Sequence, residues 1–125
     1  MQKILLVMFG GSLGAVCRYG ASLLAVRLFG AGFPWGTLFV NLVGCLFIGM
    51  SFELLERKGL LPPNMRLFFV TGFLGALTTF STFAMESVNF GREGNLTALV
   101  LNILANNLVG LVLVLAGMWL VREMV

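Results

Sequence analysis

Four apolar runs fill almost the whole chain, and their length leaves few folds open. They extend from about Ile4 to Phe29, Leu38 to Leu55, Leu67 to Phe90 and Ala98 to Val121. Each approaches or exceeds the roughly 20 residues that a helix needs to cross a bilayer. In hydrocarbon, backbone polar groups must be satisfied inside the protein, which favours helices. Only 10% of the 125 residues are charged, against about a quarter in soluble domains. The expected fold is therefore an all-α integral membrane protein, one domain of four transmembrane helices over residues 1–125. Little is left for a soluble domain, so function must reside in the bundle.

The connectors are short. The first holds Gly32, Pro34, Trp35 and Gly36, helix breakers with an aromatic suited to the membrane interface. The second, Glu56 to Asn64, contains Pro62 and Pro63, and the third runs from Gly91 to Asn95. The apolar run after Lys3 outlasts the core of a signal peptide, so it is read as the first span. Cys17 and Cys45 fall within spans and read as small buried residues. The chain has no histidine, which removes the parts for catalytic triads, zinc sites and histidine proton relays. A net charge of +3 is too small and too dispersed for a nucleic-acid surface.

Four spans put both termini on one side. That side, with the second loop, holds Lys3, Arg57, Lys58, Arg66 and Arg122, whereas the other holds Arg27 and Arg92. The bias favours cytoplasmic termini, yet it is small enough to permit insertion both ways round.

The third run is interrupted. Gly72-Phe73-Leu74-Gly75-Ala76-Leu77-Thr78-Thr79-Phe80-Ser81-Thr82-Phe83 brings two glycines and four hydroxyls into the segment. Non-helical backbone at membrane depth survives only where protein buries it or where it lines a polar cavity. Two readings follow: an ion pathway, or a packed helix with small residues at its contacts. Other polar residues lie at depth. Arg18 is a charge inside the first span, hence either a functional site or a snorkelling side chain beside a vestibule. Asn41 is in the second span, and Asn102, Asn106 and Gly110 share one face of the fourth. Amides donate hydrogen bonds without net charge, so an anion can lean on them without being trapped; equally, they can join helices. Phe80 and Phe83 share a face and could turn electropositive ring edges to an anion. Glu86 follows one turn later and could pair with Arg18 or sit at a pore mouth. Gly10 and Gly14, Gly44 and Gly49, and Gly110 and Gly117 prepare close helix contacts.

These motifs resemble those of the Fluc fluoride channels, also called CrcB, over nearly the whole chain. The resemblance is carried by Gly11-Ser12-Leu13-Gly14-Ala15 with Arg18, by Pro34-Trp35-Gly36-Thr37-Leu38 with Asn41-Leu42-Val43-Gly44, and by Thr71-Gly72-Phe73-Leu74-Gly75 with Thr78 to Phe83 and Glu86. The third is highly specific, and the fourth span matches weakly. The resemblance implies a passive fluoride-selective channel, not an enzyme, in the bacterial cytoplasmic membrane. It implies a subunit with a broken third helix that forms an antiparallel, dual-topology dimer, with itself or with a paired homologue. Such a dimer would supply between chains the inverted repeat that one chain lacks. The carbonyls of Gly75 and Thr78 would hold a structural sodium ion (Na+) at the dimer centre. Phe80, Phe83 and Asn41 would line the fluoride path, with a polar track from Thr37, Ser81, Thr82, Asn102 and Asn106. Other members have aromatic or hydroxyl residues at the fourth-span track positions; here Gly110 leaves the outer end without a side chain.

Two rival readings differ in class. A small multidrug-resistance transporter needs an acidic residue in its first span, and this first span has none. A non-transporting membrane subunit is not excluded by composition; the broken third span and the aligned polar face argue against it.

Overall fold

The computed structural model describes residues 1–57, 59–60 and 62–124. Among them the chain is helical, with no strand. Helix α1 (Gln2–Phe29) ends at Gly30, whose φ of 78° is a conformation that glycine tolerates best. Helix α2 (Trp35–Phe52) begins just after Pro34 and widens into a π-turn over Glu53–Arg57. The third span divides into α3 (63–77) and α4 (Phe80–Arg92), and the fourth is α5 (Leu96–Met124). Four segments, Gln2–Phe29, Trp35–Leu55, Pro63–Arg92 and Leu96–Met124, are long and apolar enough to cross a membrane. The chain is thus a multi-pass membrane protein with the expected spans. Lys58 and Leu61 of the second loop, and Val125, lie outside the described residues.

Two helix pairs form the frame, and both rest on glycine. On α1, a Cβ added at Gly14 would collide with the Phe73 carbonyl, and one at Gly10 with the Phe68 carbonyl of α3. A Cβ added at Gly72 would come within 2.8 Å of the Val7 carbonyl. The second pair is α2 with α5: Gly49 meets the Val114 carbonyl and Gly117 the Leu46 carbonyl just as closely. Lipid tails are as apolar as leucine, so association here comes from such contact and from interhelical hydrogen bonds. The buried apolar cluster is small, made of Val40, Leu74 and Leu77 with Ala21, Phe69 and Phe73 against it. Large apolar side chains such as Leu13, Val16, Leu111 and Leu115 stand exposed, as a bilayer solvent requires.

The two ends differ. At one, Phe33 lies between Trp35 (centroids 4.9 Å) and Phe90 (6.0 Å), joining the first loop to the end of α4. At the other, Arg122 reaches buried Glu53 at 3.5 Å.

The third span breaks at its centre, and two threonines make the break. Gly75 is helical (φ −60°, ψ −33°), whereas Thr78 (−78°, 155°) and Thr79 (−151°, 116°) are extended. The chain leaves the helix at β-branched residues suited to extended backbone, after the glycines rather than at them. Gly44 makes room for this turn, since a Cβ there would strike the Thr78 side-chain methyl.

Candidate functional site

An asparagine from a neighbouring helix holds the break. The Thr79 N–H donates to Asn41 Oδ1 at 2.8 Å, and Asn41 Nδ2 donates back to the Thr79 carbonyl at 3.2 Å. One side-chain amide thus serves both main-chain groups of one extended residue, as a neighbouring strand would. Asn41 Nδ2 also donates to Asn106 Oδ1 at 2.9 Å. Asn106 Nδ2 donates to the Asn102 carbonyl and to Asn102 Oδ1, both at 3.0 Å. Asn102 Nδ2 donates to Ser87 Oγ at 3.0 Å, and Ser87 Oγ donates to the Phe83 carbonyl at 2.9 Å. The result is a continuous polar seam that ties α2, the break, α5 and α4 together.

The break also redistributes main-chain donors. In an unbroken helix the Thr79 amide would serve the Gly75 carbonyl, but it is turned to Asn41. The Thr82 amide, which would serve the Thr78 carbonyl, donates to Thr79 Oγ1 at 3.2 Å as an N-cap. Gly75 and Thr78 are thereby released from the helix ladder, and both line the same cavity. Helix α4 opens there with its N-terminus, the partially positive end of its dipole, at membrane depth.

That cavity, about 360 Å³, lies between α2, the break and α5. Asn41, Thr79, Phe80, Phe83 and Asn106 line it. Phe80 and Phe83 are in contact (centroids 5.6 Å, planes tilted 58°). Phe80 is 77% exposed and Phe83 only 8%, so Phe80 reaches outward while Phe83 closes the inner wall. A second cavity of about 580 Å³ opens at the end carrying the first and third loops, with Thr37, Thr82 and Glu86 on its wall. Between the cavities sits a hydroxyl cluster: Thr79 Oγ1 donates to Thr82 Oγ1 at 2.9 Å and lies 3.4 Å from Ser81 Oγ.

The structure thus brings together Asn41, Phe80, Phe83, Ser81, Thr82, Thr37 and Asn106. Both N–H groups of Asn41 have partners inside the chain, so donating to an ion means exchanging one of them. Asn102 departs from its expected place on the track. It is 0% exposed, bonded to Ser87, and lines neither cavity. At Gly110 an added Cβ would meet Cys45 Sγ at 3.2 Å. This is the place where α5 passes close to α2. Glu86 accepts a hydrogen bond from Thr37 Oγ1 at 2.6 Å and does not pair with Arg18. Arg18 is half-buried on α1 and lines neither cavity. Among the described residues no cluster of three acidic, histidine or cysteine side chains could hold a metal.

Two residues of the site went unread in the sequence. Thr79 is the hub, engaged through N–H, C=O and Oγ1. Its signal was a hydroxyl three residues before Thr82, the spacing of a helix cap. Ser87 continues the Phe80 and Phe83 face by one turn, at i+7 and i+4.

Comparison with known proteins agrees with this picture. The family described as CrcB-like protein, camphor resistance (CrcB), matches residues 5–118. A protein of Maridesulfovibrio salexigens named fluoride-specific ion channel is 42% identical over 125 residues, covering 100% of this chain and 99% of that one. One of the same name from Salinibacter ruber is 47% identical over 117 residues, 94% of this chain and 87% of that one. A third, from Shewanella halifaxensis, is 46% identical over 121 residues, 97% of each chain.

Proposed function

The chain belongs to the CrcB family, and from that premise we propose that it is a passive, fluoride-selective ion channel that lets fluoride leave the cytoplasm. The observation that carries the reading is the break at Thr78 and Thr79, pinned by Asn41 beside two phenylalanines in the middle of a span. Its extended backbone and hydroxyls are built to meet something other than lipid.

The chemistry suits a small, strongly hydrated anion. Such an ion enters a pore only if neutral donors replace its water, and it leaves only if none of them holds it too tightly. Ser81, Thr82 and Thr37 offer hydroxyls, Asn41 and Asn106 offer amides, and Phe80 and Phe83 offer ring edges. The N-terminus of α4 adds partial positive charge without a lysine that would trap the ion.

The same backbone argument calls for a second copy. Gly75, Phe80, Ser81 and Thr82 are exposed on one chain at membrane depth. Facing lipid, the hydroxyls and freed carbonyls would cost several kcal/mol each. We read the partner as an identical chain in antiparallel orientation, in the cytoplasmic membrane of a bacterium, consistent with the small excess of basic residues on one side. Cysteines placed at Gly59 and Gly94 of separate copies should then cross-link, and exclusive Gly59-to-Gly59 links would contradict it.

The freed carbonyls of Gly75 and Thr78 fit a hard monovalent cation such as sodium, two oxygens from each copy. Bound there, it would supply positive charge beside the anion path and join the two subunits. The direct test of function is purified protein in liposomes with a fluoride electrode. Rapid efflux without an energy source supports the channel; none above protein-free liposomes contradicts it.

A further inference from the structure

The seam behind the cavity has a direction, and that direction assigns roles to two residues that touch no ion path. The Thr79 N–H can only donate, so Asn41 must turn Oδ1 to it. Asn41 Nδ2 then faces Asn106, which must present Oδ1. Asn106 Nδ2 consequently faces the two oxygens of Asn102, and Asn102 Nδ2 faces Ser87 Oγ. Each amide fixes the next, because a flip anywhere sets donor against donor. The far end is anchored where no solvent can intervene: Asn102 is 0% and Ser87 6% exposed, and Ser87 is fixed to the Phe83 carbonyl. Buried polar chains of this kind specify one arrangement when every member is satisfied.

We propose that Asn102 and Ser87 are positioning residues for conduction, acting through Asn106 on the amide orientation of Asn41 and so on the extended backbone at Thr79. The conduction arm of this proposal rests on the channel reading above. Neither residue lines either of the two cavities, and both side chains are buried. What they supply is polarity at the anchored end of the relay. With Asn102 replaced by leucine, Asn106 keeps only the main-chain carbonyl of residue 102 as acceptor. Its amide is then held by one bond in place of two, and Asn41 Nδ2 faces a less firmly placed acceptor.

The test uses the full chain in a lipid nanodisc for amide hydrogen exchange and in liposomes for fluoride efflux. Three variants are compared with wild type: Asn102→Leu, Ser87→Ala and the double variant. In Asn102→Leu the Thr79 amide should exchange roughly five- to tenfold faster, the consequence of losing one buried hydrogen bond of ordinary strength. Amides of α1 should stay unchanged, and maximal fluoride flux should fall in proportion. Ser87→Ala should shift both readouts in the same direction, and it decides the matter if Asn102→Leu does not fold. The double variant leaves neither an unpaired acceptor at Ser87 nor an unpaired Nδ2 donor at residue 102, so thermal stability should recover while flux and Thr79 protection stay low. Flux that recovers together with stability would show a merely structural role and overturn the proposal. So would unchanged Thr79 exchange, whether or not flux falls. Exchange is measured without fluoride, so it judges the relay even if wild-type protein conducts nothing, a result that would fall on the channel reading instead.

Discussion

The contact of α1 with α3 and the seam between α2, α4 and α5 solve the same problem by opposite means. Both join helices where no water is available. The first uses absence: Gly10, Gly14 and Gly72 remove side chains so that backbones touch. The second uses presence: Asn41, Asn106, Asn102 and Ser87 reach across with amides and a hydroxyl. Glycine contacts tolerate no added atom and carry no polarity, so they fix distance alone. The seam fixes orientation, and orientation is what an anion passing through neutral donors requires. The frame is therefore expected to govern whether the protein folds, and the seam to govern whether it conducts.

The harshest way to break this division is to fill the frame. Gly14→Val places side-chain carbon against the Phe73 carbonyl and the Leu77 amide, both backbone groups that cannot swing aside. It should cost about 3 kcal/mol or more, the top of the overpacking range. Loss of monodisperse protein on size-exclusion chromatography checks this; well-folded, stable Gly14→Val protein would erase the contrast. On the seam side, Phe83→Ile and Phe80→Ile keep apolar bulk but remove the ring edge. Each should lower fluoride efflux roughly fivefold, about 1 kcal/mol of lost ring-edge interaction, with the fold intact. Thermal unfolding and a fluoride electrode separate the two effects. Replacing sodium by a large organic cation should lower thermal stability and flux together, since the carbonyls at the break would lose their counter-charge. Unchanged behaviour after long dialysis would assign the break another purpose. The smallest effect is expected at Gly110→Ala. Its added carbon meets only a cysteine side chain at 3.2 Å. Stability should move by less than ~1 kcal/mol, with flux close to wild type. A large loss of flux there would place Gly110 on the ion path.

What could be read in the sequence was whatever one helix writes along itself. Span length, the small residues at Gly14 and Gly49, and a break near Thr78 depend on residues close in the chain. So did the shared face of Phe80 and Phe83. Pairings between spans were not legible. Asn41 meets Thr79 across 38 positions and Asn106 across 65, and no local pattern encodes which amide faces which. The same limit separates Asn102 from Asn106. Both lie on one face of α5, but packing against Ser87 buries the first and leaves the second at the cavity. Glu86 had two candidate settings by sequence; the approach of α2 gave it Thr37.

The central claim is that the amide at Asn41 sets the path for the ion. Its most direct test is fluoride efflux from liposomes carrying equal amounts of folded wild-type and Asn41→Asp protein. The aspartate removes the donors to Thr79 and Asn106 and sets negative charge on the proposed anion path. The account expects rapid passive efflux from wild type and a rate indistinguishable from empty liposomes for the variant. Equal efflux from both would contradict it.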